Sequence, residues 1–260
     1  MGKVQPNNII WSADVPSWSD ILDVMKAKAL PPGTIIKLDR RFFEAVELAN
    51  SKAAIDICGD YGYPVFCDVK IIEIPSKCLE IAEAYLKHNP FMINFMAAAC
   101  STGRFDPKED ENSKDALLRF AKLCEKYDAE SCVVTVLTSK TPKICEYEYG
   151  VNNPVDQVMK YVDLARQAGI TNIVCSPLEA AAIREHHEYD HMMINTPGVR
   201  LPDSAKDDQA RVWTPHAALA AGADRLVIGR PLTGTDEQGP LAKRIQRNYD
   251  AILKNIEFGP

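Results

Sequence analysis

Asp68-Val69-Lys70-Ile71-Ile72-Glu73 sets one lysine between two acids, directly after the apolar run Pro64-Val65-Phe66-Cys67. Residues two apart on a strand project to the same side. Asp68 and Lys70 are therefore expected on one face, with Glu73 just past the strand end. Nearby opposite charge favours the ionised form of a lysine, and an ammonium held in place suits a proton donor. Asp14 and Lys37 also end apolar runs and extend the set. Acids and bases alternating at close range hold one another ionised. The same charges would also form an ion-pair network that only orders a surface. Such a network is costly to bury, which makes a functional reason more attractive.

A second group lies toward the carboxyl terminus. It comprises Thr196-Pro197-Gly198-Val199-Arg200, then Gln209, then Val227-Ile228-Gly229-Arg230-Pro231-Leu232. Arg200 and Arg230 offer forked donors that match phosphate oxygens. Gly198 and Gly229 let backbone approach a ligand closely. Either arginine would serve equally to tie down a loop.

The elements that must position these groups alternate along the chain. Strand-like runs cover Asn8–Asp14, Thr34–Leu38, Pro64–Lys70, Phe91–Ala97, Ser131–Thr138, Asn172–Ser176, His191–Thr196 and Arg225–Gly229. They are rich in Val and Ile and apolar on both faces, as buried parallel strands are. Helices are expected between them. Ser17 or Ser19 would cap Asp20–Ala29, Ser76 would cap Lys77–His88, and Ser113 would open Lys114–Tyr127. Asn153-Pro154 would start Val155–Ala168, Pro177 would start Leu178–His187, and Thr214-Pro215 would start His216–Ala221. Arg41–Ala54 is less well marked, and Glu237–Ile256 closes the chain. The charged stretch Gly103–Asn112 reads as a solvated loop. Eight strand–helix units over about 250 residues fit a (β/α)₈ TIM barrel, an α/β fold. An open doubly wound sheet is the alternative. No linker or low-complexity segment divides residues 1–260, so a single domain is expected. In such a barrel, chemistry sits at the carboxyl ends of the strands, and phosphate binds at the last two units.

Composition narrows the function classes. Of the 260 residues, 46% are hydrophobic and 25% charged, enough apolar material for a large core. The net charge of −6 argues against a nucleic-acid or anionic-membrane partner. No run approaches the ~20 apolar residues of a membrane span, and the amino terminus has no apolar signal core. The eight cysteines form no Cys-x-x-Cys pair and read as buried free thiols of a cytoplasmic protein. His186-His187 reads as a solvated helix end, and no metal site is expected.

The motifs resemble orotidine 5′-monophosphate decarboxylase of the bacterial type. The resemblance runs from Ile9 to about Thr233 and is carried by several blocks in order: Ser12-Ala13-Asp14-Val15-Pro16, Ile36-Lys37, Asp68-Val69-Lys70, Ile74-Pro75, Val134-Thr135-Val136-Leu137-Thr138-Ser139 and Ile173-Val174-Cys175-Ser176. Thr196-Pro197-Gly198-Val199-Arg200, Asp208-Gln209 and Val227-Ile228-Gly229-Arg230-Pro231 are the most specific. The resemblance implies a homodimer of (β/α)₈ barrels with shared active sites. It implies decarboxylation of orotidine monophosphate to uridine monophosphate in pyrimidine biosynthesis, with no cofactor. Lys70 would protonate C6, and Asp68 would lie beside the substrate carboxylate. Asp14 and Lys37 would contact the ribose, and Thr138 and Ser139 the pyrimidine. Pro197, Arg200, Gln209, Gly229 and Arg230 would hold the phosphate end, and loops after the fifth and seventh strands would close over the ligand.

Two departures stand out. The family motif Asp-x-Lys-x-x-Asp ends here in Glu73, one methylene longer, at the position that in the family reaches the neighbouring subunit's site. After the fourth strand, Phe95-Met96-Ala97-Ala98-Ala99 replaces a Val-His-Ala-like segment. Two other readings stay open. One is a phosphosugar enzyme of the same wider group, of the 3-keto-L-gulonate 6-phosphate decarboxylase or hexulose-6-phosphate synthase type, which usually needs a metal. The other is a catalytically weak nucleotide-binding homologue.

Overall fold

A computed structural model describes residues 4–49, 52–100, 107–202 and 213–259. Its strands are β1 (Ile9–Ser12), β2 (Ile35–Asp39), β3 (Val65–Ile71), β4 (Met92–Met96), β5 (Glu130–Val134), β6 (Asn172–Val174), β7 (Met193–Thr196) and β8 (Arg225–Ile228). They form one closed barrel in the order β1 to β8, the architecture the strand count predicts. The helices are α1 (Trp18–Lys26), α2 (Arg40–Ala49), α3 (Ala54–Asp60), α4 (Pro75–Leu86), α5 (Pro107–Lys126), α6 (Pro142–Tyr149), α7 (Pro154–Gln167), α8 (Pro177–Arg184), α9 (Pro215–Ala220), α10 (Arg230–Thr233) and α11 (Leu241–Phe258).

The chain divides into two compact units, with boundaries inside β3 and β7. One unit holds residues up to Asp68 together with those from Thr196 onward, and the other holds Val69–Asn195. In the first, β8, β1, β2 and the start of β3 run parallel. Ile10 pairs with Ile35 and Val227, Ser12 with Lys37, and Asp39 with Asp68. In the second, β4 to β7 continue the pattern, with Asn94 opposite Cys132 and Ile173 opposite Ile194. Every residue of β1, β4 and β8 is buried. Burial on both faces is what their unbroken apolar sequence requires, because helices cover the outside of a parallel sheet.

Several helix starts follow their sequence signals. Ser17 caps α1, accepting from Asp20 N while Asp20 Oδ2 accepts from Ser17 N. Asn153 and Thr214 accept from Val155 N and Ala217 N, with proline next in each case. Other expectations need correction. Ser76 is no cap, because Pro75 already occupies the first turn of α4. The segment Arg41–Ala54 does not hold one helix but parts of α2 and α3. Residues 107–112 are helical rather than loop, and Ser113 lies inside α5. Proline first with acids following suits a helix start. The last helix begins at Leu241, after Gly239-Pro240. Helix α6 was not anticipated, although Thr141-Pro142 before it and Gly150 after it are the same signals that mark α9.

The cysteine expectation holds for Cys58, Cys67, Cys78, Cys124, Cys132, Cys145 and Cys175, all free and buried. Burial pushes the Cys58 and Cys124 thiols up to about 12, so neither is a ready nucleophile. His187 is exposed beside Asp190, but α8 ends at Arg184, so His186-His187 lies beyond the helix end expected there. No described helix is long and apolar enough to cross a membrane.

The caps give a direct check. Asn153→Ala removes the acceptor of Val155 N and is expected to destabilise the fold by about 1 kcal/mol, whereas Asn153→Asp keeps it. Urea unfolding of both variants decides, and equal midpoints would remove Asn153 from this role.

Candidate active site

Strand ends concentrate charge because their apolar interiors cannot. In the first unit, Ser12 ends β1 and Lys37 stands opposite it on β2. Lys37 Nζ donates to Asp68 Oδ2 at 2.5 Å, and both side chains are largely shielded from solvent. A carboxylate that is only 8% exposed needs such a cation. Lys37–Asp68 is thus an ion pair within the predicted cluster. Asp39, in register opposite Asp68, is a further acid that the sequence does not single out. Its own neighbour Arg41 grips it through Nε and Nη2, and that guanidinium holds its carboxyl below the usual range.

Asp14 lies just past β1 and is exposed. Ser12 Oγ donates to Asp14 Oδ2 at 2.7 Å, and Ala13 N donates to Lys37 O at 3.1 Å, which fixes the turn that carries it. A Cβ at Gly229 would stand 3.2 Å from Asp14 Oδ2 and 3.5 Å from the Ser12 Cβ. A side chain there would be tight against the Asp14 carboxylate, which would have to give by a few tenths of an ångström. Arg230 follows at the first position of α10 and is exposed. After β7, Pro197 and Gly198 are half-buried, and Val199 bridges Trp213. Arg200 N donates to Trp213 O, and its Nη1 donates to Val199 O at 3.0 Å. One guanidinium nitrogen therefore does the loop-tying that the sequence left open for this arginine. Gln209 lies outside the described residues.

The second unit carries Lys70, Glu73, Thr138 and Ser139. Lys70 is the exposed residue of an otherwise buried strand. Its φ is +43°, the left-handed region, which for a residue with a side chain costs on the order of 1–3 kcal/mol. Regular alternation ends at such a residue, so parity with Asp68 no longer fixes where Lys70 projects. Its N–H donates to Asn94 Oδ1 at 2.7 Å. Asn94, on β4, is 1% exposed. Asn94 falls inside the expected strand Phe91–Ala97, where the sequence alone gives it no role.

Glu73 is exposed, and Ile72 and Ile74 on either side of it are 59% and 62% exposed. Thr138 and Ser139 are exposed too, but not at a strand end. Strand β5 stops at Val134, and they belong to the turn closed by Lys140 N to Leu137 O. Lys140 ties that turn to the far end of α6 through Glu148 and the Tyr149 hydroxyl. Among the described residues, no group of three or more His, Cys, Asp or Glu side chains is arranged to hold a metal ion.

Residues 7–245 match the family described as Orotidine 5'-phosphate decarboxylase / HUMPS family. An orotidine 5′-phosphate decarboxylase of Chromobacterium violaceum is 37% identical over 193 residues, 74% of this chain and 73% of its own. One from Moorella thermoacetica is 31% identical over 255 residues, covering 95% and 93%. The crystal structure of the Lactobacillus acidophilus orotidine 5′-phosphate decarboxylase superposes with a TM-score of 0.66 at 23% identity, covering 95% of this chain and 98% of that one. At that identity it is a likeness of fold.

The buried ion pair predicts its own removal. Lys37→Ala takes the cation from beside Asp68, and truncating one member of a buried pair costs on the order of 3 kcal/mol. Thermal and urea unfolding are expected to show a clear loss of stability. A variant as stable as the parent would mean that the pair is solvated.

Proposed function

The chain belongs to the Orotidine 5'-phosphate decarboxylase / HUMPS family, and from that membership we propose the roles of its residues in converting orotidine 5′-monophosphate to uridine 5′-monophosphate. The protein is an orotidine-5′-phosphate decarboxylase, a carboxy-lyase of pyrimidine biosynthesis. The observation that carries this is an unbroken family match over residues 7–245, with relatives named for this single reaction along 74% to 95% of the chain. We propose that residues 1–260 act as one catalytic domain. The continuous match supports that reading.

The chemistry follows from the charges. Decarboxylation breaks the bond between C6 and the carboxylate, and carbon dioxide leaves. The electron pair stays on C6, which becomes a carbanion in the plane of the pyrimidine ring. In this reading no metal or organic cofactor delocalises that pair, so the barrier falls through charge arranged in advance. The Lys70 ammonium stabilises the developing negative charge and then gives C6 its proton. Lys70 is reprotonated from solvent after product leaves. Asp68 stands beside the substrate carboxylate, where like charge favours its departure, and Lys37 holds Asp68 ionised and in place. The 2.5 Å Lys37–Asp68 contact supports that assignment.

Asp14 and Lys37 would take the ribose hydroxyls. Asp14 is supported by its exposure and by its fixed turn beside Gly229. Gly229, Arg230, Arg200, Pro197 and Gln209 would hold the phosphate end, whose remote binding energy offsets the cost of setting two carboxylates side by side. Thr138 and Ser139 would meet the pyrimidine as the turn after β5 closes and excludes water. We further propose a homodimer in which Glu73 enters the neighbouring subunit's site. Two largely exposed isoleucines flanking an exposed acid support that reading, since such apolar surface is suited to a partner. The buried free thiols support a reducing, cytoplasmic setting.

Loss of orotidine absorbance in the presence of a chelator tests the reaction directly. Lys70→Ala is expected to lower kcat by roughly 10³-fold or more while leaving much of the uridine monophosphate affinity. Turnover near that of the parent would remove Lys70 as the proton donor. Ile72→Glu is expected to convert the dimer to monomer in sedimentation and to abolish activity with it. A dimer of unchanged stability would move the interface away from this loop.

A further inference from the structure

We propose that Asn94 is a positioning residue for Lys70. Its buried side-chain carbonyl holds the lysine backbone in a left-handed conformation that directs the ammonium. The inference rests on the reading of Lys70 as the proton donor and adds a device that keeps it there.

Among the described residues, Lys28, Lys70, Asn89 and Asp128 combine a side chain with positive φ. Lys28, Asn89 and Asp128 lie just past the ends of α1, α4 and α5, where a left-handed residue commonly terminates a helix. Lys70 alone of the four lies within a strand. A conformation unfavourable for lysine persists in a strand only when its surroundings over-determine it, and such strain clusters at functional sites. The contact that meets the displaced backbone is the Asn94 amide. In a regular parallel ladder the Lys70 N–H would bond to a main-chain carbonyl of the adjacent strand. Here it donates to Asn94 Oδ1 at 2.7 Å. Asn94 reaches it from the middle of β4, where its neighbours Ile93 and Phe95 are wholly buried and its own backbone is in register with Cys132. An amide so placed is rigid, because β4 is buried along its whole length. An apolar residue at 94 would leave the Lys70 N–H without this acceptor, and the strand would be released toward extended geometry. The lysine would then project elsewhere, with the same charge and the same neighbours in sequence.

The test separates positioning from mere packing. In Asn94→Ala, kcat for orotidine monophosphate is expected to fall about 100-fold, the scale of a misplacement near 1 Å. KM and the uridine monophosphate Kd should stay within about threefold, since the phosphate and ribose groups are untouched. Asn94→Asp keeps an acceptor at the same place and is expected to recover most of the loss. An unchanged kcat in Asn94→Ala overturns the proposal. So does a loss shared by kcat, KM and Kd that the aspartate variant fails to rescue, for that is the mark of general disruption.

A stability cycle reads the backbone independently of catalysis. Lys70→Gly should raise the urea midpoint, because glycine tolerates positive φ. In the Asn94→Ala background that gain should vanish, because the strand has relaxed. A gain that persists undiminished overturns the proposal. If Asn94→Ala does not fold, exchange of the Lys70 amide in the unmodified protein decides. Protection well beyond that of exposed loop amides is expected, and exchange at the loop rate overturns the hydrogen bond. Should Lys70→Ala remain active, the proton-donor reading fails. The stability cycle would still report whether Asn94 sets the Lys70 backbone.

Discussion

A charge buried at the end of a strand must bring its counter-charge with it, and the Lys37–Asp68 pair meets that constraint here. The strands that deliver the pair are apolar on both faces, because helices enclose a parallel sheet. Polar chemistry is thereby pushed to the few residues where each strand stops. Those residues belong to adjacent strands of a fixed register, Ser12 beside Lys37 and Asp39 beside Asp68. Register thus decides which acid meets which base. A buried ion pair contributes little net stability, since desolvation offsets much of the attraction. Net stability is therefore not a sufficient reason for the pair.

Lys70 obeys a different constraint. It is exposed, and its position is set through the main chain. The left-handed φ at Lys70 and the bond from its N–H to Asn94 Oδ1 describe one local arrangement, in which a buried side chain of the next strand accepts from the lysine backbone. A flexible side chain of four methylenes aims poorly by itself. Fixing its Cα and backbone direction narrows the space the ammonium explores. Electrostatic catalysis depends on that narrowing, because charge already in place needs no reorganisation as the carbanion forms.

Glu73 lies outside both constraints. It sits on an exposed loop between two largely exposed isoleucines. Gly229 is the opposite case. There a Cβ would be tight against the Asp14 carboxylate, so side-chain size is constrained by a neighbour more than two hundred residues away in sequence.

Much of this was legible in the sequence because it is local. Runs of Val and Ile identified all eight strands to within a few residues, and Asn153-Pro154 and Thr214-Pro215 marked real caps. Thr141-Pro142 carries the same signal before α6. The charged stretch Gly103–Asn112 suggests a loop by composition alone; where it is described, from 107 onward, proline first and acids next mark the helix start instead. The grouping of Asp14, Lys37, Asp68, Gly229 and Arg230 at strand ends was also visible, because strand ends are local features. Tertiary structure alone decided the pairings: Lys37 with Asp68 across 31 residues, Lys70 with Asn94 across 24, and Gly229 against Asp14. Sequence spacing specifies burial and local hydrogen bonds. Contacts between strands depend on register and on backbone departures such as φ at Lys70, which are settled only when distant segments pack together.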